Sequence, residues 1–165
     1  MKRILLLLAL FTGATTLWAG TALVGWSVTY PTADGNTYKS QLKNSILEGV
    51  FSDLFEKGWI AFDLPHPVEL ASGEVLPAFQ EEAVRNGAGL GLYFHVTWKS
   101  GRDEATQTDY WTTEGVSWTA VSFLQKKVLG SGKVAIKDFI LPSKDEKKLN
   151  EQAASELLKV FTKYY

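Results

Sequence analysis

The chain has 165 residues, 21% of them charged, a formal net charge of −1 and no cysteine. Without cysteine there are no disulfides, no thiol catalysis, no cysteine zinc site and no lipid attached through a cysteine at the amino terminus. The near-zero charge gives no electrostatic reason to expect nucleic acid or an anionic membrane surface as a partner.

The first residues, MKRILLLLALFTGATTLWAG, have the layout of a secretory signal peptide. Lys2 and Arg3 give a positive start, Ile4 to Phe11 an apolar run, and Ala19-Gly20 a small-residue end. The run is shorter than the roughly 20 residues that span a bilayer. Cleavage is expected after Ala19. The expected organisation is therefore a leader over 1–19 and a single α/β domain over 20–165. No later segment is apolar enough to cross a membrane, so the mature protein is expected in the periplasm or outside the cell.

From Ala22, the stretch ALVGWSVTY alternates with period two and predicts a strand. PTADGNTYKS is a loop. Over 40–57, Leu42, Ile46, Leu47, Val50, Phe51, Leu54 and Phe55 recur at helical spacing, with Ser40 as candidate N-cap and Gly58 as C′ residue. Gly49 inside that helix points to close packing against a sheet. WIAFDL, residues 59–64, reads as a strand buried on both faces. A second helix is predicted over 76–86, ended by Gly87, with Phe79 and Ala83 toward the sheet. LGLYFHVTWK, residues 90–99, is the clearest strand: Leu90, Leu92, Phe94, Val96 and Trp98 take one face, and Gly91, Tyr93, His95, Thr97 and Lys99 the other.

The polar stretch 100–115 reads as a long loop. VSWTAVSFLQ and VLGSGKVAIKDFI are two further strands, joined by a turn near 125–127. Residues 144–165 form a closing helix with Leu149, Ala153, Leu157, Phe161 and Tyr164 as its stripe, and Ser143 as candidate cap. The order β-α-β-α-β-β-β-α predicts an α/β (α+β) fold with a mixed five-stranded sheet, order 2-1-3-4-5. The first three strands are parallel through right-handed crossovers.

Candidate chemistry is sparse. His66 sits in DLPHP, residues 63–67, and two readings stand. It is a histidine held at the carboxyl end of a parallel strand with Asp63 beside it, or an exposed residue in a proline-punctuated exit. His95 lies mid-strand without an HxH or HExxH pattern, which favours a structural role over a metal ligand. GAGLG at 87–91 follows a helix and precedes a strand, the reverse of a phosphate loop; GSG at 130–132 marks a bulge. Glu81-Glu82 and Asp103-Glu104 are sequence neighbours that point apart. Of six tryptophans, Trp26, Trp59, Trp98 and Trp118 fall in strands and read as core. Trp111, beside Tyr110 in the polar stretch, reads as a binding anchor or as an aromatic folded back into the core. No cofactor and no metal is expected.

VSFLQKKVLGSGKVAIKD resembles the two-strand hairpin of small bacterial envelope proteins, whose second strand carries a G-x-V-L-x-S-G phrase. Lys127-Val128-Leu129-Gly130-Ser131-Gly132 stands in that place, with lysine where a turn glycine is usual. AASELLKVFTKYY resembles their closing helix. The group comprises the TolB amino-terminal domain, CsgG-like proteins and lipoprotein activators of penicillin-binding proteins. Many members are lipoproteins, which this chain's lack of cysteine does not match. The resemblance carries no shared catalytic residues. It implies a non-catalytic, exported domain that binds another envelope protein. The expected binding rim holds His66, Tyr110 and Trp111. The alternative is a periplasmic hydrolase or small-ligand-binding protein using the loops around His66.

Overall fold

The computed structural model describes residues 20–31, 41–64 and 75–165. The leader, most of the first loop and the loop carrying His66 lie outside the described residues. The elements are β1 (Thr21–Thr29), α1 (Leu42–Glu56), β2 (Ile60–Asp63), α2 (Val75–Asn86), β3 (Leu90–Thr97), β4 (Lys99–Asp103), β5 (Thr108–Thr112), β6 (Gly115–Ser122), β7 (Lys127–Ala135), β8 (Ile140–Leu141) and α3 (Glu146–Phe161). A mixed five-stranded sheet runs β2-β1-β3-β6-β7, the expected order. β1 pairs in parallel with β2 and β3, and the remaining pairs are antiparallel.

Period two divides the sheet into two unequal faces. Ala22 and Val24 of β1, Leu92, Phe94 and Val96 of β3, and Val116 and Ala120 of β6 form one buried cluster with α1 and α3. The helices contribute Ile46, Val50, Leu54, Ala153, Leu157 and Phe161. Each such aliphatic side chain contributes about 2 kcal/mol when withdrawn from water. The opposite face carries a smaller cluster in which Ala83 of α2 meets Leu23, Leu64, Ala88 and Tyr93. Because that cluster stops at Tyr93, the carboxyl-terminal half of this face is left to polar residues.

Four local expectations change. Gly49 faces α3 rather than the sheet: a β-carbon there would lie 3.0 Å from Leu158 Cδ1. β2 is not buried on both faces, since it is an edge strand, and Ile60 and Phe62 are 47% and 38% exposed. The last long strand ends at Ala135, and Asp138 takes a left-handed conformation (φ 56°) before β8 begins in another sheet. The polar stretch 100–115 is not a loop. It forms most of the β4–β5 hairpin, which with β8 makes a second, three-stranded sheet.

The carboxyl ends of α1 and α2 follow their signals, but the amino ends do not: α1 and α3 are capped at Gln41 and Asp145, neither with a side-chain cap bond, and Ser40 lies outside the described residues. Gly58 and Gly87 both take positive φ after α1 and α2. Ser143 precedes α3 by three residues, and its hydroxyl accepts the Asp145 N–H at 3.1 Å. The predicted bulge is present: the β6–β7 register shifts between Ala120 and Val121, leaving Leu129 over.

Candidate functional site

β1, β2 and β3 run parallel, so their carboxyl ends share an edge of the sheet, the usual ligand edge of α/β folds. On the face opposite α1 and α3, near that edge, the β1–β3 register sets Ser27 opposite His95 and Thr29 opposite Thr97. Ser27 Oγ lies between Tyr93 OH and His95 Nδ1. His95 Nε2 faces Thr97 Oγ1 at 2.9 Å and Thr29 Oγ1 at 3.5 Å. Burial holds the imidazole below its ordinary value of 6.5, so it is neutral at pH 7. A chain in which Tyr93 donates to Ser27, Ser27 donates to Nδ1, and Nε2–H donates to Thr97 satisfies every group.

This arrangement places a hydroxyl against a base, the first requirement of a nucleophilic site. Thr97 stands where a carboxylate would stabilise the imidazolium, so the base is weakly supported. Ser27 is only 7% exposed. Among the described residues no group of three or more His, Cys, Asp or Glu is placed to hold a metal ion. His95 is thus part of a hydroxyl network that its sequence pattern did not reveal. The missing information was the β1–β3 register.

The second feature is the β4–β5 arm, which rises from the same edge because β4 follows β3 after Trp98 alone. Near its tip, Arg102, Asp103, Thr108 and Asp109 are all exposed although neighbours alternate faces, so the arm is open on both sides. Asp103 Oδ1 accepts the N–H groups of Ala105 and Thr106 at 2.9 and 3.3 Å, closing the turn. Those two bonds, the first foremost, hold its carboxyl below the ordinary carboxylate value.

Tyr110 pairs across the strands with Gly101, and its ring occupies the space a β-carbon on Gly101 would need. A groove of about 630 Å³ opens beside it, lined among others by Arg102, Asp109, Ile140 and Pro142. Trp111 points the other way. It is 9% exposed and joins the main core, paired with Leu141. The two aromatics expected on the rim are therefore separated: Tyr110 lines the groove, and Trp111 fixes the root of the arm. His66 lies outside the described residues.

No family model matches the chain, and no curated protein matches it significantly. Solved structures of similar fold include the hypothetical protein CT253 from Chlamydia trachomatis. It is 12% identical with a TM-score of 0.51, over 88% of this chain and 97% of that one. Lipoprotein GNA1162 from Neisseria meningitidis is 15% identical with a TM-score of 0.49, over 87% and 99%. The LpoB carboxyl-terminal domain from Salmonella enterica is 14% identical with a TM-score of 0.40, over 80% and 93%. Of these, the CT253 likeness alone speaks for a shared fold, and at such identities none speaks for a shared activity.

Proposed function

We propose that this chain is an exported, non-catalytic protein-binding domain of the bacterial cell envelope, and that the β4–β5 arm meets its partner. The observation that carries the reading is Tyr110 laid over Gly101 beside an open groove, on an arm whose root Trp111 anchors in the core. A rigid aromatic on a fixed support binds with little further loss of side-chain freedom. The leader-like first 19 residues support export. Membership of the TolB and CsgG-like group is part of this proposal. Under it, His66 belongs to a rim that Pro65 and Pro67 stiffen, rather than to a catalytic corner.

Affinity capture from envelope extracts tests the reading, comparing the protein with its Tyr110→Ala variant. A partner retained by the first and lost by the second, with equal melting temperatures, is the expected result. Equal capture by both removes the arm from the binding surface. Mass spectrometry of exported protein is expected to find an amino terminus at Gly20, and an intact Met1 on periplasmic material would reject export by cleavage.

A hydrolytic reading is favoured by the Ser27–His95 contact alone. Labelling of Ser27 by a fluorophosphonate, abolished by His95→Gln, would establish it in place of the binding role.

A further inference from the structure

The exposed sheet edges are closed in different ways. β7 carries the Leu129 bulge, Tyr164 sits against its Gly130, and Lys127 and Lys133 stand along it. β2 and β8 are four and two residues long. β4 keeps one guard, its charged residues Lys99, Arg102 and Asp103, but among the described residues it pairs with β5 alone, over five residues with no register shift. Such an edge offers a row of free backbone donors and acceptors to another strand.

The side chains of β4 say which strand fits. Its sequence is Lys99-Ser100-Gly101-Arg102-Asp103. Read antiparallel to itself about Gly101, it sets Lys99 opposite Asp103 twice, and Ser100 opposite Arg102 twice. We propose that β4 pairs antiparallel with β4 of a second copy of this chain, about a two-fold axis at Gly101. The contact is isologous, so each copy supplies one half of each ion pair, Lys99 to one and Asp103 to the other.

Other features of the arm agree with this pairing. Asp103 closes its own turn through Oδ1, so Oδ2 is the oxygen turned to the incoming lysine. The Arg102 charge is balanced within its own hairpin by Asp109, at 3.9 Å. Lys99 is 58% exposed even while it pairs with Glu114. The two three-stranded sheets then become one six-stranded sheet. Because the axis is perpendicular to it, both Tyr110 rings lie on the same face. A contact of five residues a side belongs to the small, weak class of interfaces, below about 1,200 Å². The charges therefore select the register more than they supply affinity.

Sedimentation equilibrium of the purified full chain, with no other protein present, tests the proposal apart from any partner-binding role. A reversible dimer is expected, with a dissociation constant raised about tenfold or more by Lys99→Asp and likewise by Asp103→Lys, since each sets like charges opposite one another. Mixing the two variants is expected to restore dimerisation, because every strand end again meets the opposite charge. Where Asp103→Lys loosens the turn, amide exchange of the unaltered protein gives a second measure. Protection over 99–103 should rise with concentration while that of 104–107 does not. A monomer at all concentrations, a dimer indifferent to the single changes, or a mixture no tighter than its components would overturn the proposal.

Discussion

The ring of Tyr110 lies across the α-carbon of Gly101, its partner on the adjacent strand, in the space where any other residue would carry its β-carbon. Aromatic cover of a strand glycine supplies the cross-strand packing that the glycine itself cannot. Replacing Gly101 with alanine therefore displaces the ring. The expected cost is about 1 kcal/mol of stability, read by denaturant unfolding, with weaker partner capture. Unchanged stability and capture would mean that the ring swings aside freely.

Tyr110 and Trp111 are neighbours with opposite duties, and alanine substitution separates them. Trp111→Ala opens a cavity where β5, β8 and the main core meet, and is expected to cost about 3 kcal/mol. Tyr110→Ala removes a half-exposed ring and is expected to cost less than about 1 kcal/mol. Thermal melts of the two variants check the order. The reverse order would put the binding anchor at Trp111.

Acidification tests the Ser27–His95 contact. The folded imidazole lies below its ordinary value of 6.5 because of burial, so on acidification the unfolded chain takes the proton first. Stability from this group is full above about pH 6.5. It is lost as pH falls from there through the folded value, and levels off below it. Asp103 and Glu114 also have lowered values, from 3.8 and 4.5, so their losses fall at more acid pH. Melting temperature should therefore fall as pH drops below about 6.5, and His95→Gln should flatten that part of the profile. The same scan on His66→Gln separates the other histidine; a profile that flattens there and not at His95 rejects the assignment.

Asn150 of α3 is 1% exposed, and its side-chain oxygen has no hydrogen-bond partner among the described residues. A buried acceptor without a partner costs more than an apolar group of similar shape. Asn150→Leu is expected to stabilise the fold by about 1 kcal/mol, measured as a shift in denaturant midpoint without a change in slope. Destabilisation would instead reveal a bonded Asn150.

Where periodicity was long, it was sufficient. The stripe from Leu42 to Leu54 and the alternation from Leu90 to Trp98 each named the face that is buried, but Phe55, counted in the same stripe, is 59% exposed near the helix end. The polar hairpin escaped because Lys99–Asp103 has no apolar alternation, and its support, Tyr110 over Gly101, exists only once the strands have paired. β2 misled for the opposite reason: a short apolar run reads alike whether it lies at the centre of a sheet or at its edge. The Ser27–His95 contact needed a register, which joins residues 68 positions apart and leaves no local trace. Both polar faces were readable from strand alternation, but their alignment was not.

β1 lies inside the large sheet, between two strands that both follow it in the chain. During synthesis it is made first and waits. It gains an edge only when Ile60–Asp63 arrives, and its longer partner only when Leu90–Thr97 has emerged. Through that interval TALVGWSVT, with no charge and no proline, is an unpaired β-prone segment of the kind that sticks to other chains. In the nascent protein it is the stretch a holding chaperone would grip. A pause in translation before Leu90 would prolong that exposure more than a pause anywhere after Thr97.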